Sequence, residues 1–437
     1  MKNKNRNLLI VGGGWAGIAA AIKLVRHGKK VTLLESARQL GGRARAVQAS
    51  GLCVDNGQHL LLGAYHETLG LLAILGLKES DLFERLPLQI HQYRGAQVAL
   101  SLQAAALPAP LHLAAGILLA KGINLRDRLA ALWHWQGMIS TPIPAADDIS
   151  VRQWLLQHHQ PIALIHACWE PLCLAALNTP AHQASAILFR AVLQTAFRGD
   201  RHNADVLFPK KDLTSILAGP AMEFLEGAGG NVLLSRTVTG LQFRDAAIAG
   251  VETRTGFIEA EQVILATNFE STQRLLAQYE SLQATNVVLQ RLKSNPICTV
   301  YLQLPGNYSL PYPIMASLDS PAQWFFDRAL CQQPGLIAAV ISGDGPHMEL
   351  DTEALCQRVK HQFAALLPHA PKPEKTFCIR ERRATLACTP GIQQHRPTHV
   401  TAVANLYLAG DYLQSDLPAT LEAAVQSGLA CATKILT

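Results

Sequence analysis

The chain has 437 residues, 49% hydrophobic and 16% charged, with a formal net charge of +6. That length holds two or three domains, and its dispersed Lys and Arg residues, never interleaved with aromatics in a basic block, exclude a nucleic-acid partner. Nine cysteines, an odd number with no C-x-x-C pair, exclude a disulfide framework and a zinc site; no metal is expected, and reduced thiols fit a cytoplasmic protein.

The predicted elements begin with a strand, Leu8-Leu9-Ile10-Val11, followed by Gly12-Gly13-Gly14-Trp15-Ala16-Gly17, an apolar helix and a second strand ending at Glu35. Strand, glycine turn, helix, strand and acid is the order a dinucleotide requires. Gly12 permits the tight turn, Gly14 lets the backbone approach a pyrophosphate, and Gly17 lets helix and strand pack closely. Trp15 and Ala16 open the helix, whose free N–H groups and positive dipole favour phosphate. Glu35 can accept both hydroxyls of a ribose, and an acid there favours a free 2′-OH. Lys2, Lys4 and Arg6 before an apolar run resemble a secretory signal, but the glycines, Lys23 and Arg26 interrupt that run.

Next come Leu40-Gly41-Gly42-Arg43-Ala44-Arg45 and a glycine-containing segment, Asp55-Asn56-Gly57-Gln58-His59. Residues 80–200 read mainly as helix, with periodic apolar positions over Arg126–Met138, Val151–His159 and Ile187–Arg198. The apolar run 104–120 contains Pro108, Pro110 and His112, so it is expected to be interfacial or buried, not membrane-spanning. Ala218–Gly227 reads as helix and Asn231–Leu234 as strand. A hairpin is expected over 241–251, and Gln262–Ala266 reads as a buried strand. Residues 295–385 are expected to mix short strands (298–304, 337–342) with a helix over 352–366. The last segment returns to a strand ending at Gly410-Asp411 and a helix from Thr420 to Leu436.

These elements predict an α/β protein with a discontinuous Rossmann-like nucleotide domain over 1–78, 205–275 and 395–437. A mixed α+β substrate domain would occupy 79–204, its helical part, and 276–394, its sheet part. Gly41 and Gly42 let the backbone pass close to a ligand, and Arg43 or Arg45 can offset pyrophosphate charge. A GGR segment just past a ribose acid favours FAD over NAD. The apolar composition calls for a large core, or for apolar surface facing a greasy ligand or a bilayer.

The glycine turn, Glu35 and the GGR segment resemble the flavin amine oxidase and phytoene desaturase superfamily. Leu408-Ala409-Gly410-Asp411 with Leu417-Pro418-Ala419-Thr420-Leu421 is similar to its second flavin motif. The resemblance implies that Asp411 lies at the ribitol or pyrophosphate and that Thr420 and Leu421 sit by the isoalloxazine. Gly57 and Val238 are added as cofactor contacts. Within the superfamily, residues 54–65, Trp169–Leu172, Ala175–Asn178 and Arg382–Thr385 are most similar to the hydroxysqualene dehydroxylases of hopanoid-producing bacteria. That likeness implies replacement of an allylic hydroxyl of hydroxysqualene by hydride from reduced FAD, giving squalene. The electron donor that reduces the flavin is left open, as is peripheral contact with the inner membrane face.

The reaction needs a proton for the leaving oxygen, a dry pocket and close positioning. His59 is the first candidate donor, against a structural role in its loop. Glu170 is a second, since burial would raise its pKa, against a half-exposed residue at a helix break before Pro171. Arg383 is a third candidate, for the leaving water or the flavin, against an ordinary ion pair. Asp55 either orients the His59 loop or touches cofactor. Tyr301 and Trp324-Phe325-Phe326 line the tunnel or fill the core. Other readings are a polyene desaturase, an amine oxidase (disfavoured by Thr420 where many relatives place an aromatic) and a non-catalytic lipid-binding flavoprotein.

Overall fold

A computed structural model describes residues 7–437; Lys2, Lys4 and Arg6 lie outside them. The apolar runs that open, divide and close the chain meet in one parallel sheet. Its strand order is Asn231–Leu233, Val31–Leu34, Leu8–Val11, Gln262–Leu265, Leu406–Leu408. Leu8 pairs in register with Val31 on one side and with Gln262 on the other. Leu8–Val11 and Gln262–Leu265 are buried at every position, as parallel strands covered on both faces must be. Helix Trp15–Arg26 packs on this sheet beside the last helix, Leu421–Leu436. A Cβ on Gly428 would lie 2.1 Å from the Ala16 carbonyl oxygen, so glycine sets how closely the two helices approach.

A second, seven-stranded sheet runs Lys375–Leu386, Ser294–Gln303, Leu336–Ser342, Trp324–Asp327, Ile314–Ser317, Gln89–Arg94, Gln97–Gln103. All its pairs are antiparallel except Ile314–Ser317 with Gln89–Arg94. The period-two alternation of side chains decides what each face does. Val300, Phe325 and Ile341 pack under helix Thr352–Leu366 through Leu355, Val359 and Phe363. Trp324, Phe326 and Val340 point the other way. Helices Leu111–Leu119, Leu125–Ser140, Val151–Gln157, Glu170–Leu177 and Ala186–Phe197 form a helical layer beside this sheet, and three small sheets and further helices fill the remainder.

Two sequence expectations are corrected. The stretch read mainly as helix begins with strands Phe83–Leu86, Gln89–Arg94 and Gln97–Gln103. Its hairpin turns at Gly95, whose φ of +52° favours glycine. The twelve-residue strand Lys375–Leu386 was not foreseen. It lies at the sheet edge, where a polar sequence (Lys375, Arg380, Glu381, Arg382, Arg383) is tolerated without the alternation that marks a buried strand.

Candidate active site

The three motif glycines are required for three different reasons. Gly12 holds φ +112°, and a Cβ there would meet the Ala266 carbonyl oxygen at 2.6 Å. A Cβ on Gly17 would sit 2.0 Å from the Gly12 carbonyl oxygen. Gly14 is different: its Cβ would meet only the Gly42 Cα, at 3.9 Å, and the residue borders a cavity of about 1030 Å³. Protein packing therefore demands Gly12 and Gly17, whereas side-chain absence at Gly14 clears space for whatever enters the cavity. Helix Trp15–Arg26 starts at Gly14 with no side-chain cap and no acid in its first turn. Its leading N–H groups and positive dipole are left for a ligand anion. Glu35 is buried at the end of its strand. Its Oε2 accepts from the Gly13 N–H at 2.7 Å, and its Oε1 accepts from the Ala37 N–H and the Ser36 hydroxyl. An acceptor position remains on Oε2 beside the cavity.

The GGR segment is a junction. Arg43 Nη2 donates to both carboxylate oxygens of Asp411 at 2.7 Å, and Nη1 donates to the Ala384 carbonyl at 2.8 Å. Arg43 thus joins the two flavin motifs through Asp411 instead of standing clear for a pyrophosphate. Asn56 donates to the Arg43 carbonyl and to Glu381, tying the Asp55–His59 segment to the same point. From behind, the buried Arg396 donates to the carbonyls of Asp411 and Leu417, both at 2.7 Å, and fixes the loop leading into the last helix. Thr420 caps that helix by accepting from the Ala423 N–H. Burial pushes the pKa of the nearby Tyr65 hydroxyl up to about 12. Glu422, buried in the first turn, accepts from the N–H groups of Glu67 and Thr68 and so caps helix His66–Ile74.

His59 lines the cavity, half-buried. Its Nδ1–H donates to the Gly57 carbonyl at 2.7 Å, which directs Nε2 as the second ring nitrogen available to a ligand. Burial lowers its pKa; the Asp55 charge and the Gly57 bond oppose this without cancelling it. Asp55 does not border the cavity. It accepts from the Leu213 N–H at 2.9 Å and faces Arg328 at 3.6 Å, both side chains being almost wholly buried. Arg328 donates to Gln58 Oε1 at 2.6 Å, and Tyr301 donates to the Asp55 carbonyl. Asp55 therefore orients the His59 loop, and Tyr301 belongs to the core beneath it.

Most residues named from sequence border this one cavity: Gly12, Gly14, Trp15, Ala16 and Glu35; Gly41, Gly42, Arg43 and His59; Val238 and Arg383; Gly410, Asp411, Thr420 and Leu421. Gly17 and Gly57 support it from outside. Glu170 is corrected: it does not border the cavity, and its half-exposed carboxylate pairs with His166 at 2.7 Å and Arg152 at 3.4 Å. Pro171 follows a π turn, Ile165–Trp169, that rotates the helix and aims Leu172 and Ala176, not Glu170, at the cavity. Trp324 and Phe326 line it, while Phe325 faces the opposite core.

Sequence reading missed Tyr65, Arg328 and Arg396. Tyr65 closes the 54–65 segment, where its position alone signals no role. The two arginines carry no local signal: Arg328 is recruited by Gln58, 270 residues earlier in the chain, and Arg396 by main-chain carbonyls 15 and 21 residues on.

An FAD fits the residues present. Gly14 leaves a cradle that a Cβ would fill, and the adjoining helix end is uncapped. The buried indole N–H of Trp15, at the cavity, has no partner among the described residues. The profile of the flavin containing amine oxidoreductase family matches residues 15–436. The chain belongs to that family. This flavoprotein is 27% identical to hydroxysqualene dehydroxylase of Rhodopseudomonas palustris, over 99% of both chains. It is 25% identical to the Zymomonas mobilis enzyme of the same name, over 96% of each. It is also 25% identical to zeta-carotene desaturase of Synechocystis, over 98% of this chain and 96% of the relative. Among solved structures, putrescine oxidase bound to putrescine superposes with a TM-score of 0.76 at 18% identity, covering 99% of both chains. Cyclohexylamine oxidase from Brevibacterium oxydans gives 0.68 at 16%, covering 98% of both. The flavoprotein is an FAD-dependent oxidoreductase of amine oxidase fold.

Proposed function

We propose that this flavoprotein reduces hydroxysqualene to squalene, exchanging the allylic hydroxyl for hydride. The observation that carries the reading is the continuity of the cavity. It runs from the glycine turn and Asp411 into a wall of Leu172, Val192, Leu193, Phe197, Trp324 and Phe326. Such a wall takes a long isoprenoid and offers a small polar molecule few partners. The similarity to hydroxysqualene dehydroxylases along nearly the whole chain supports it.

FAD, when bound and reduced, supplies the hydride. The chain supplies the remainder. Its apolar wall excludes water and holds the alkene flat, so that positive charge at the allylic carbon is delocalised as the C–O bond breaks. His59, held through Nδ1 by Gly57, donates a proton from Nε2 to the departing hydroxyl. Water leaves, the carbon gains a hydrogen, and the substrate is reduced by two electrons. Arg383, at the same cavity, donates a hydrogen bond to the released water.

The test is a single turnover. The photoreduced protein is mixed anaerobically with hydroxysqualene, flavin reoxidation is followed by absorbance, and product by mass spectrometry. Coupled reoxidation and squalene are expected. Reoxidation without squalene, or neither, overturns the reading. Polyene desaturation by the oxidised protein would replace it with the activity named for the zeta-carotene relative.

A further inference from the structure

The helical pair Leu111–Leu119 and Leu125–Ser140 is built inside out. The first helix contains one polar side chain, His112, and that one is buried at 2% exposure, its ring nitrogens unpartnered among the described residues. Leu113, Gly116 and Ile117 share its inner side, packed on strand Gln97–Gln103. The outer side presents Leu111, Leu118 and Leu119, the last 76% exposed. The second helix repeats the arrangement with Leu125, Leu129 and Trp133 at four-residue spacing, hence on one face, all exposed and Trp133 at 84%. Arg128 Nη1 donates to the Leu118 carbonyl at 2.6 Å, joining the two outer faces into one patch. A helix apolar on every side belongs in a core or in lipid, and contiguous exposed apolar surface of this kind marks an interaction site.

Charge selects the occupant. Between residues 104 and 140 the ionisable side chains other than histidine are Lys121, Arg126, Arg128 and Asp127, a net excess of two cations. Lys121 and Arg126 are exposed at the patch. A two-fold contact with a second copy would bring these cations, on chains that each carry +6, against one another. A bilayer with anionic headgroups would attract them while its acyl region took the leucines, with Trp133 at the boundary where indoles reside. No helix among the described residues is long and apolar enough to cross a membrane, so the contact is interfacial. The patch also backs onto the cavity. The second helix packs against Ala186–Phe197, with Trp135 edge-on to Phe197, and that helix contributes Phe189, Val192, Leu193 and Phe197 to the cavity wall.

We infer that the outer face of helices Leu111–Leu119 and Leu125–Ser140 docks the protein on an anionic lipid bilayer, one helix layer from the cavity. The inference stands on this surface and not on the identity of the substrate.

The test is flotation of the FAD-loaded protein with vesicles of phosphatidylcholine alone or mixed with phosphatidylglycerol, with Trp fluorescence recorded in parallel. Binding to the mixed vesicles, a blue shift, and weakening by salt are expected. Leu119→Glu combined with Leu129→Glu and Trp133→Glu should cut partitioning at least about tenfold. FAD content and thermal midpoint should hold, since all three side chains face solvent. Lys121→Ser with Arg126→Ser should lower binding to the mixed vesicles only. Failure of the native protein to float, or equal flotation of the triple variant, overturns the inference. So does a solution dimer that the triple variant dissociates, which would assign the patch to a second copy.

Discussion

The two ends of the cavity are built by opposite means. At the glycine turn, the surface offered to a ligand is largely main chain: N–H groups of an uncapped helix and the bare Cα of Gly14. At the far end it is side chain: Val192, Leu193, Phe197, Trp324 and Phe326, drawn from one helix and a strand of the second sheet. Main-chain recognition tolerates almost no substitution, because a single Cβ occupies the ligand's place or breaks the turn. Side-chain recognition tolerates much, because apolar groups of similar volume exchange at low cost. A main-chain end of this kind can therefore stay fixed while the side-chain end varies.

Substitutions at the paired glycines test this contrast most severely. Gly17→Val forces a side chain into the Gly12 carbonyl and should cost roughly 3–5 kcal/mol, seen as insoluble protein or a collapsed thermal midpoint. Gly14→Val meets no protein atom closely; it should fold, purify colourless, and regain no flavin absorbance when FAD is added. A yellow Gly14→Val protein would show that the turn does not face the cofactor. Arg328→Met leaves Asp55 buried without its ion partner and should destabilise by about 3–5 kcal/mol in denaturant unfolding. Restoring most of that loss with Asp55→Asn in the same chain would confirm that the pair, not the volume, was at stake.

His59 probes the junction of the two ends. Burial holds its pKa below the ordinary histidine value, so the imidazolium is a minor form at neutral pH. If the imidazolium is the acid, kcat/KM should climb as pH falls from 7 and level off only below about 6.5. His59→Gln should flatten that limb and lower kcat by about 10²-fold with FAD content unchanged. A profile identical to the native one would remove His59 from the chemistry. The smallest effect is expected at the apolar end. Val192→Phe should raise KM for the isoprenoid by roughly tenfold, leave flavin binding intact and barely move stability.

The same contrast explains what the sequence disclosed. The turn, Glu35 and the strands around them are contiguous, their requirements are steric, and the spacing carries them. Asp411 and Thr420 were readable because a second motif surrounds them. The Asp55–Arg328–Gln58 linkage was half visible: Asp55 stood in a recognisable segment, while Arg328 becomes its partner only when Trp324–Asp327 reaches the second sheet. Glu170 shows the limit. Its neighbours are apolar, which suggests burial, yet the π turn before Pro171 turns it toward Arg152 and His166. A one-residue change of helical phase is invisible to a periodicity that assumes a regular helix.

The contact of Gly428 with Ala16 has a consequence for how the protein is made. Asp411, the Thr420 cap and the helix lying on Trp15–Arg26 are synthesised long after the glycine turn they meet. On the ribosome the nascent chain would carry half of the candidate site until that later segment emerged. The cavity's second wall, and the glycine that lets it close, arrive together with that segment. A chain terminated before Gly410 would lack that wall, however well its beginning had folded.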